Sequence, residues 1–262
     1  MPYSERVFLT ELFNAAVSAA DPKTALSCFL PVKPKGRTVV IGAGKGAAQL
    51  AAAFEELWEG PLSGVVVTRY GFTAPCQHIK VLEASHPVPD AAGLVASAAL
   101  FEAVRDLGPD DLVVALICGG GSSLLPAPVA GLSLDDEIAL NKALLASGAP
   151  ISAMNIIRQQ ISQIKGGQLA RAAAPAKVVS LIVSDVPGDD PAQVASGPTV
   201  GGANGPADAL AAIRTYDIKL PSNIQRFIES LLHTSHEAAQ LAGNEVHIIA
   251  SASKSLEAAA KV

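Results

Sequence analysis

The stretch Lys177–Thr199, KVVSLIVSDVPGDDPAQVASGPT, is the most informative part of this sequence, because an apolar run in it leads directly into a turn rich in carboxylates. Val178–Val183 has the length and composition of a buried strand. Three acids follow this strand around a Pro-Gly pair: Asp185, Asp189 and Asp190. Open α/β folds bind ligands beyond the carboxyl ends of their parallel strands. The stretch therefore predicts an α/β sheet with ligand-binding groups along one edge.

Similar apolar runs recur along the chain and alternate with helical patterns. The runs of strand length are Thr38–Gly42, Gly64–Thr68, Ile79–Ala84, Asp111–Cys118, Lys177–Ser184 and Glu245–Ser251. The helical patterns are Glu5–Ala20, Gly46–Trp58, Ala91–Leu107 after an Asp90 N-cap, and the segment from Ser133 to Ser147. This alternation predicts a mostly parallel sheet with helices on both faces.

Composition excludes several classes of protein. Half of the 262 residues are hydrophobic and the net charge is -5, so we expect a globular domain that does not bind nucleic acid. The apolar run near Leu112 is too short to span a membrane, and the N-terminus does not read as a signal peptide. Three scattered cysteines form neither a metal spacing nor a disulfide framework, which favours the cytoplasm.

The first predicted strand runs into a glycine turn, IGAGKGAAQL. Gly42, Gly44 and Ala47 match G-x-G-x-x-[G/A], a pattern whose backbone N–H groups cradle phosphate at a helix N-terminus. Lys45 adds a positive charge inside this turn. The acid expected after the second strand of a dinucleotide site is missing, and Arg69 stands there instead. The alternative is that these glycines only allow a helix and a strand to pack closely.

A second glycine cluster, GGGSS, follows the fourth predicted strand. Gly119, Gly120 and Gly121 free the backbone to wrap around an anion, and Ser122 and Ser123 supply hydroxyl donors. This combination favours phosphate or carboxylate. The alternative is a flexible connector.

Further charged residues complete the candidate site. Arg158 and Lys165 are seven residues apart, so on one helix they would share a face and present two cations to one anion; otherwise they are a solvated pair. The three acids of the opening stretch would repel one another without a cation, which suggests a metal, although turn chemistry beside Pro187-Gly188 is the alternative. His86 in SHPVPD either reaches the sheet edge or merely precedes the Asp90 cap.

Together these motifs resemble the type 2 glycerate kinases, a TtuD-like family often labelled hydroxypyruvate reductase. The matching pieces are IGAGKGA, SHPVPD, GGGSSLLPAP, the segment from NIIR to IKGGQLA, and SDVPGDDPAQVASGPT. The resemblance covers Val7–Val262 but only about the first three fifths of a family member. It implies that residues 1–262 form the N-terminal Rossmann-like domain and that the C-terminal MOFRL domain is absent from this chain.

The resemblance also implies an activity: phosphorylation of D-glycerate to 2-phosphoglycerate, with ATP and Mg²⁺. It gives Lys45, Arg158 and Asp189 catalytic roles and the metal to Asp185, Asp189 or Asp190. The implied substrate- and nucleotide-binding residues are Gly42, Gly44, His86, Gly119, Gly120, Gly121, Ser122, Ser123, Lys165, Ser184 and Ser196.

Two other functions stay open at the level of sequence. One is an NAD(P)H-dependent hydroxypyruvate reductase, and the other is a non-catalytic module that binds a nucleotide or a sugar acid. We also expect that the chain as given, without a second wall for its cleft, is inactive alone and aggregates or pairs as a homodimer. The sequence leaves open whether it is a fragment, the ordered part of a longer enzyme or a natural short form.

Overall fold

The computed structural model of the protein describes residues 4–202, 204–233, 241 and 243–262. Its centre is a parallel sheet of six strands in the order β3-β2-β1-β4-β5-β6. The strands are β1 (Thr38–Ala43), β2 (Ser63–Arg69), β3 (Ile79–Ala84), β4 (Leu112–Cys118), β5 (Lys177–Val183) and β6 (Glu245–Ala250). The chain order reverses between β1 and β4, and in open α/β sheets this reversal opens a crevice for ligands.

Eleven α-helices accompany the sheet in the described part of the chain. They are α1 (Glu5–Ala19), α2 (Pro22–Ser27), α3 (Ala47–Leu57), α4 (Ala91–Ala103), α5 (Gly121–Leu124), α6 (Leu134–Ser147), α7 (Ile151–Gln160), α8 (Gln168–Ala172), α9 (Pro206–Thr215), α10 (Ser222–Ser230) and α11 (Ala252–Ala259). Among them, no helix has both the length and the apolar composition needed to cross a membrane.

Three apolar clusters stabilise these layers. One sheet face packs against α4, α5 and α8, and the other packs against α2 and α3. Both central strands, β1 and β4, are buried along their whole length, which explains why their sequences are continuously apolar rather than alternating. The helices α6, α7, α9 and α10 bury their apolar residues in a third cluster of their own.

The predicted elements are confirmed, with small differences at their ends. Every predicted strand is present to within one residue at each end, and the side chains of Asp90 and Ser133 cap α4 and α6 as expected. The predicted helix Ala91–Leu107 is too long, because α4 ends at Ala103. Asp106 then takes a left-handed conformation with φ 54°, which turns the chain back toward β4.

The start of β4 carries a buried carboxylate that makes stability depend on pH. Asp111 accepts hydrogen bonds from the Arg37 guanidinium at 2.7 Å and from the Gly108 N–H at 2.8 Å, and these hold its pKa well below the usual value. A lowered folded-state pKa stabilises the protein above the unfolded value of about 3.9, and this contribution is lost as pH falls through the folded-state value.

We therefore expect the free energy of unfolding to fall as pH drops below about 4. Asp111→Asn should lower the free energy of unfolding near neutral pH, because the amide loses the charge interaction with Arg37. It should also flatten the pH dependence, because an amide has no proton to gain as the pH falls. Urea unfolding at a series of pH values measures both effects. The exposed neighbour Asp110 is the matched control, and an Asp110→Asn protein should keep the parent's pH dependence.

Candidate active site

Polar groups from four strands meet at the carboxyl edge of the sheet. Lys45 follows β1, His86 follows β3, the Gly119–Ser123 turn follows β4, and Asp185 follows β5. The reversal in strand order places the turns after β1 and β4 side by side. The structure thus brings both glycine clusters that were singled out in the sequence into one crevice.

The two glycine turns are in direct contact. The Lys45 N–H donates to the Gly119 carbonyl at 2.9 Å, and the Gly46 N–H donates to Cys118 Sγ at 3.2 Å. A Cβ on Gly44, whose φ is +137°, would lie 2.3 Å from the Cys118 carbonyl oxygen. Glycine is required here by the close approach of the two turns, so the packing explanation is correct for this residue and is compatible with a ligand site.

Lys45, Asp185 and His86 form a charged group at the second turn. Lys45 Nζ lies 3.5 Å from Asp185 Oδ2, and both side chains are about half exposed, at 43% and 50%. A Cβ on Gly120 would lie 3.0 Å from both His86 Nε2 and Lys45 Cγ, so both side chains rest against this glycine. His86 therefore reaches the sheet edge, as the first of its two sequence interpretations predicted.

The imidazole of His86 is held in its neutral form near neutral pH. Its pKa is lowered first by burial and then by the positive charges of Lys45 and Arg69, while Asp185 opposes the shift. A neutral imidazole can both donate and accept a hydrogen bond. The group at Gly120 thus combines one cation, one carboxylate and one neutral hydrogen-bonding ring.

A chain of hydroxyl and amide groups extends from the second glycine turn. Ser122 Oγ lies 2.5 Å from Ser196 Oγ, and the Ser196 hydroxyl donates to Asn155 Oδ1 at 2.9 Å. The Asn155 amide nitrogen donates to the Gln193 carbonyl at 3.1 Å. Asn155 and Ser196 are both 1% exposed, so this network is fixed inside the protein.

The segment that carries Ser196 has a strained backbone. Ala195, Ser196 and Gly197 have consecutive positive φ values of 54°, 62° and 65°, and the first two are not glycines. Such residues cost about 1–3 kcal/mol each and cluster at functional sites. The Gly166 and Gly167 N–H groups hold this segment by donating to the carbonyls of residues 196 and 197 at 3.1 and 2.7 Å.

Arg158 joins the same network from α7. Its Nη1 donates to Asn155 Oδ1 at 2.9 Å, and its Nε donates to Asn141 Oδ1 at 2.8 Å. A cavity of about 300 Å³ lies beside it. The cavity is lined by Gly120, Ser122, Ile151, Asn155, Arg158, Asp185, Val186, Pro187, Gln193, Ala195 and Ser196.

The prediction that Lys165 shares a helix face with Arg158 is wrong. The helix ends at Gln160, and the chain turns before it reaches Lys165. Lys165 is 1% exposed, and its ammonium donates to Glu137 Oε1 at 2.6 Å and to the Leu125 carbonyl at 2.9 Å. Both partners lie inside the protein, so this cation is not available to an anion in the crevice.

The three acids to which the metal was assigned, Asp185, Asp189 and Asp190, are not gathered into one cluster. Within the described ranges, no group of three histidine, cysteine or acidic residues is placed to hold a metal. The pKa of Asp189 is lowered by hydrogen bonds from the hydroxyls of Ser184, Ser251 and Ser253, which turn it toward the start of α11. Asp190 accepts from the Ala192 N–H at 3.0 Å, which is the turn chemistry considered as the alternative.

The other predicted binding residues have local roles. The Ser123 hydroxyl donates to the Gly120 carbonyl at 3.2 Å, and the Ser184 hydroxyl donates to the Val186 carbonyl at 3.3 Å. Gly42 packs against β4, where a Cβ on it would lie 2.5 Å from the Leu116 carbonyl oxygen. A Cβ on Gly121 would lie 2.7 Å from the Cβ of Ala195.

Three amide residues of the site were missed by the sequence analysis: Asn141, Asn155 and Gln193. Asn155 begins the NIIR motif, yet only the arginine of that motif was assigned a role. An asparagine inside an otherwise apolar helical pattern is the signal that could have identified it, because a buried amide needs hydrogen-bond partners. Asn141 and Gln193 carried no comparable signal.

The chain is similar to known proteins over most of its length. A family model described as a domain of unknown function, DUF4147, matches residues 8–229. A protein of Agrobacterium vitis that carries the provisional name hydroxypyruvate reductase is 54% identical over 258 residues, or 98% of this chain and 58% of that protein. The D-glycerate 2-kinase of Thermotoga maritima is 37% identical over 247 residues, or 93% of this chain and 59% of that protein.

Solved structures show the same architecture. A crystal structure of glycerate kinase from Thermotoga maritima superposes with a TM-score of 0.84 at 35% identity, covering 96% of this chain and 60% of that one. A crystal structure of a protein from Pyrococcus horikoshii gives the same TM-score and identity, covering 100% of this chain and 63% of that one. The present chain spans about three fifths of the length of these relatives.

Proposed function

This chain belongs to the DUF4147 family of glycerate kinases and their relatives, and from that premise we propose that it carries the phosphoryl-transfer site of an ATP-dependent D-glycerate kinase. The observation that supports this most strongly is the contact between the two glycine turns, with Lys45 lying over Gly120 beside Asp185. The product would be 2-phosphoglycerate.

The chemistry needs positioning and charge neutralisation more than covalent help from the protein. The 2-hydroxyl oxygen of D-glycerate attacks the γ-phosphorus of ATP, the bond from that phosphorus to ADP breaks, and the hydroxyl proton passes to solvent or a nearby base. Backbone N–H groups of the glycine turns would bind phosphate oxygens. Lys45 would neutralise charge that develops on the transferred phosphoryl group, and His86 would offer a neutral hydrogen-bonding group beside it.

The residues present also fit a nucleotide-bound Mg²⁺. Magnesium in such sites is held by one or two carboxylates together with phosphate oxygens and water, so a cage of three acids is unnecessary. Asp185 is the carboxylate that lines the cavity and contacts Lys45. When bound, Mg²⁺ would neutralise phosphate charge, and Asp185 would hold it.

Replacing Asp185 tests this assignment. Asp185→Asn should raise the Mg²⁺ concentration needed for half-maximal activity several-fold, because the amide removes a full negative charge from the ligand set. The nearby Asp190 accepts a hydrogen bond from the Ala192 N–H within its own turn, which makes it a matched control. An Asp190→Asn protein should keep the parent's midpoint in a Mg²⁺ titration of activity, and equal midpoints for parent and Asp185→Asn would contradict the assignment.

A second candidate function is hydroxypyruvate reduction with NAD(P)H. It is favoured by the provisional name of the Agrobacterium vitis relative. Against it, β2 ends in Arg69, whose Cζ lies 3.4 Å above the Phe72 ring, where a dinucleotide site needs an acid for the ribose. A non-catalytic binding module is the third candidate.

Parallel assays distinguish these functions. We expect a form of the protein extended to the full length of its relatives, in which the activities of the variants are also measured, to convert ATP and D-glycerate to ADP and 2-phosphoglycerate. It should leave NADH unoxidised in the presence of hydroxypyruvate, and the chain of 262 residues alone should show negligible turnover. Oxidation of NADH without ATP turnover would favour the reductase. Binding of ATP and D-glycerate without turnover in either assay would favour the binding module.

A further inference from the structure

The guanidinium of Arg158 is a mostly enclosed charge without a carboxylate partner among the described residues. Its hydrogen bonds go to the neutral amide oxygens of Asn141 and Asn155. Burial lowers its pKa, and the negative charge of Glu137, which opposes the shift, is already engaged by Lys165 at 2.6 Å. Removing a cation from water without a counter-charge is costly, so such an arrangement favours binding of an anion.

The surroundings of Arg158 suit a small organic acid. The cavity beside it offers hydroxyl and amide groups from Ser122, Ser196 and Gln193, and apolar side chains from Ile151 and Val186. The one acidic side chain in its lining is that of Asp185, which is already paired with Lys45 at 3.5 Å. More than half of the residues that line the cavity carry polar or charged side chains, so the cavity suits a small polar ligand rather than an apolar one.

We propose that Arg158 binds the carboxylate of the substrate and thereby selects hydroxy acids over uncharged polyols. The inference rests on the proposed function for the identity of the acid. The planar guanidinium suits the two oxygens of a carboxylate, which a lysine ammonium matches less well. Arg158 then acts in substrate specificity, and the phosphoryl group is left to Lys45, which rests against Gly120.

Asn155 is a positioning residue for this carboxylate site. Its single Oδ1 accepts from Arg158 Nη1 and from the Ser196 hydroxyl, each at 2.9 Å. Its amide nitrogen donates to both oxygens of Gln193, at 3.0 and 3.1 Å. This one side chain therefore fixes the guanidinium relative to the strained segment and to Ser122.

Ligand binding by the full chain tests the proposal. Calorimetry should show that D-glycerate and D-lactate bind at least about tenfold more tightly than glycerol, a difference of the size expected for a hydrogen bond to a charged group. In Arg158→Gln this preference should disappear through weaker binding of the acids, while glycerol binding stays the same. Arg158→Lys should retain part of the preference for the acids over glycerol. The exposed Arg171 is the matched control, and Arg171→Gln should bind like the parent.

A measurement on the unaltered protein covers the case in which Arg158→Gln does not fold. The nitrogen-15 resonance of Arg158 Nε should shift on addition of D-glycerate and remain in place with glycerol. The proposal is overturned if the acids and glycerol bind with equal affinity or if no acid binds at millimolar concentration. It is also overturned if the Arg158 Nε resonance does not shift when D-glycerate is added. If a form extended to the length of the relatives binds D-glycerate through Arg158 but transfers no phosphoryl group, the kinase function is refuted and the carboxylate site is retained.

Discussion

Lys45→Met should lower kcat for ATP-dependent phosphorylation of D-glycerate about a hundredfold or more, the typical loss when one preorganised charge contact to a transition state is removed. Methionine keeps the length and apolar stem of the side chain, so its packing against Gly120 should survive. The ammonium that pairs with Asp185 at 3.5 Å would be lost. Its loss leaves the developing phosphoryl charge without a cation from the turn after β1.

A control lysine separates this effect from a general loss of charge. Lys80 on β3 is exposed, and Lys80→Met should retain the parent's kcat. Circular dichroism and thermal unfolding should show that both variants keep the fold. Turnover by Lys45→Met close to that of the parent would show that Lys45 is not the phosphoryl-contacting cation.

Lys165→Met should destabilise the protein by roughly 3–5 kcal/mol, the usual consequence of removing one partner of a buried ion pair. Glu137 is 3% exposed and would remain as a carboxylate with a single N–H donor, that of Ala127 at 3.2 Å. The ammonium of Lys165 also satisfies the Leu125 carbonyl, which would lose its donor. Urea unfolding of the parent and the variant measures the difference directly.

The double variant Lys165→Met with Glu137→Leu provides the matched control. Removing both charges eliminates the uncompensated carboxylate, so stability should recover by most of the loss seen in the single variant. If Lys165→Met instead unfolds like the parent and loses binding of ATP or D-glycerate, Lys165 is a ligand-contacting residue as the sequence suggested, and the structural role assigned here is wrong.

Much of the fold could be predicted because it follows from local patterns. The strands are short apolar runs, and their number and positions are confirmed to within a residue. The caps of α4 and α6 depend on a hydrogen bond between residues three apart, so Asp90 and Ser133 could be recognised locally. The placement of Lys45, Asp185 and the glycine turns on one edge also follows, since carboxyl ends of parallel strands share an edge.

The errors occurred where distant segments decide the environment of a side chain. Arg158 and Lys165 are both cations near a glycine pair, and nothing in their spacing shows that one reaches a cavity and the other is buried. The partner that distinguishes them, Glu137, lies 28 residues before Lys165. Likewise, Asp189 accepts hydrogen bonds from the hydroxyls of Ser251 and Ser253, which lie beyond β6, more than sixty residues later in the chain.

The alternation of strands and helices and the set of residues at one edge of the sheet could be predicted from the sequence, because hydrophobic periodicity and turn residues act over a few positions. The family was predicted separately, from the resemblance of the motifs. Which of those residues line the cavity depends on the tertiary structure. Burial and pairing depend on contacts between residues far apart in the chain, such as Ser122 with Ser196 and Asn155 with Gln193. In a closely packed interior, a charge that finds a counter-charge becomes structural, as Lys165 does with Glu137. Arg158 is bonded to neutral amides instead, and for that reason it is the cation that we propose for a ligand.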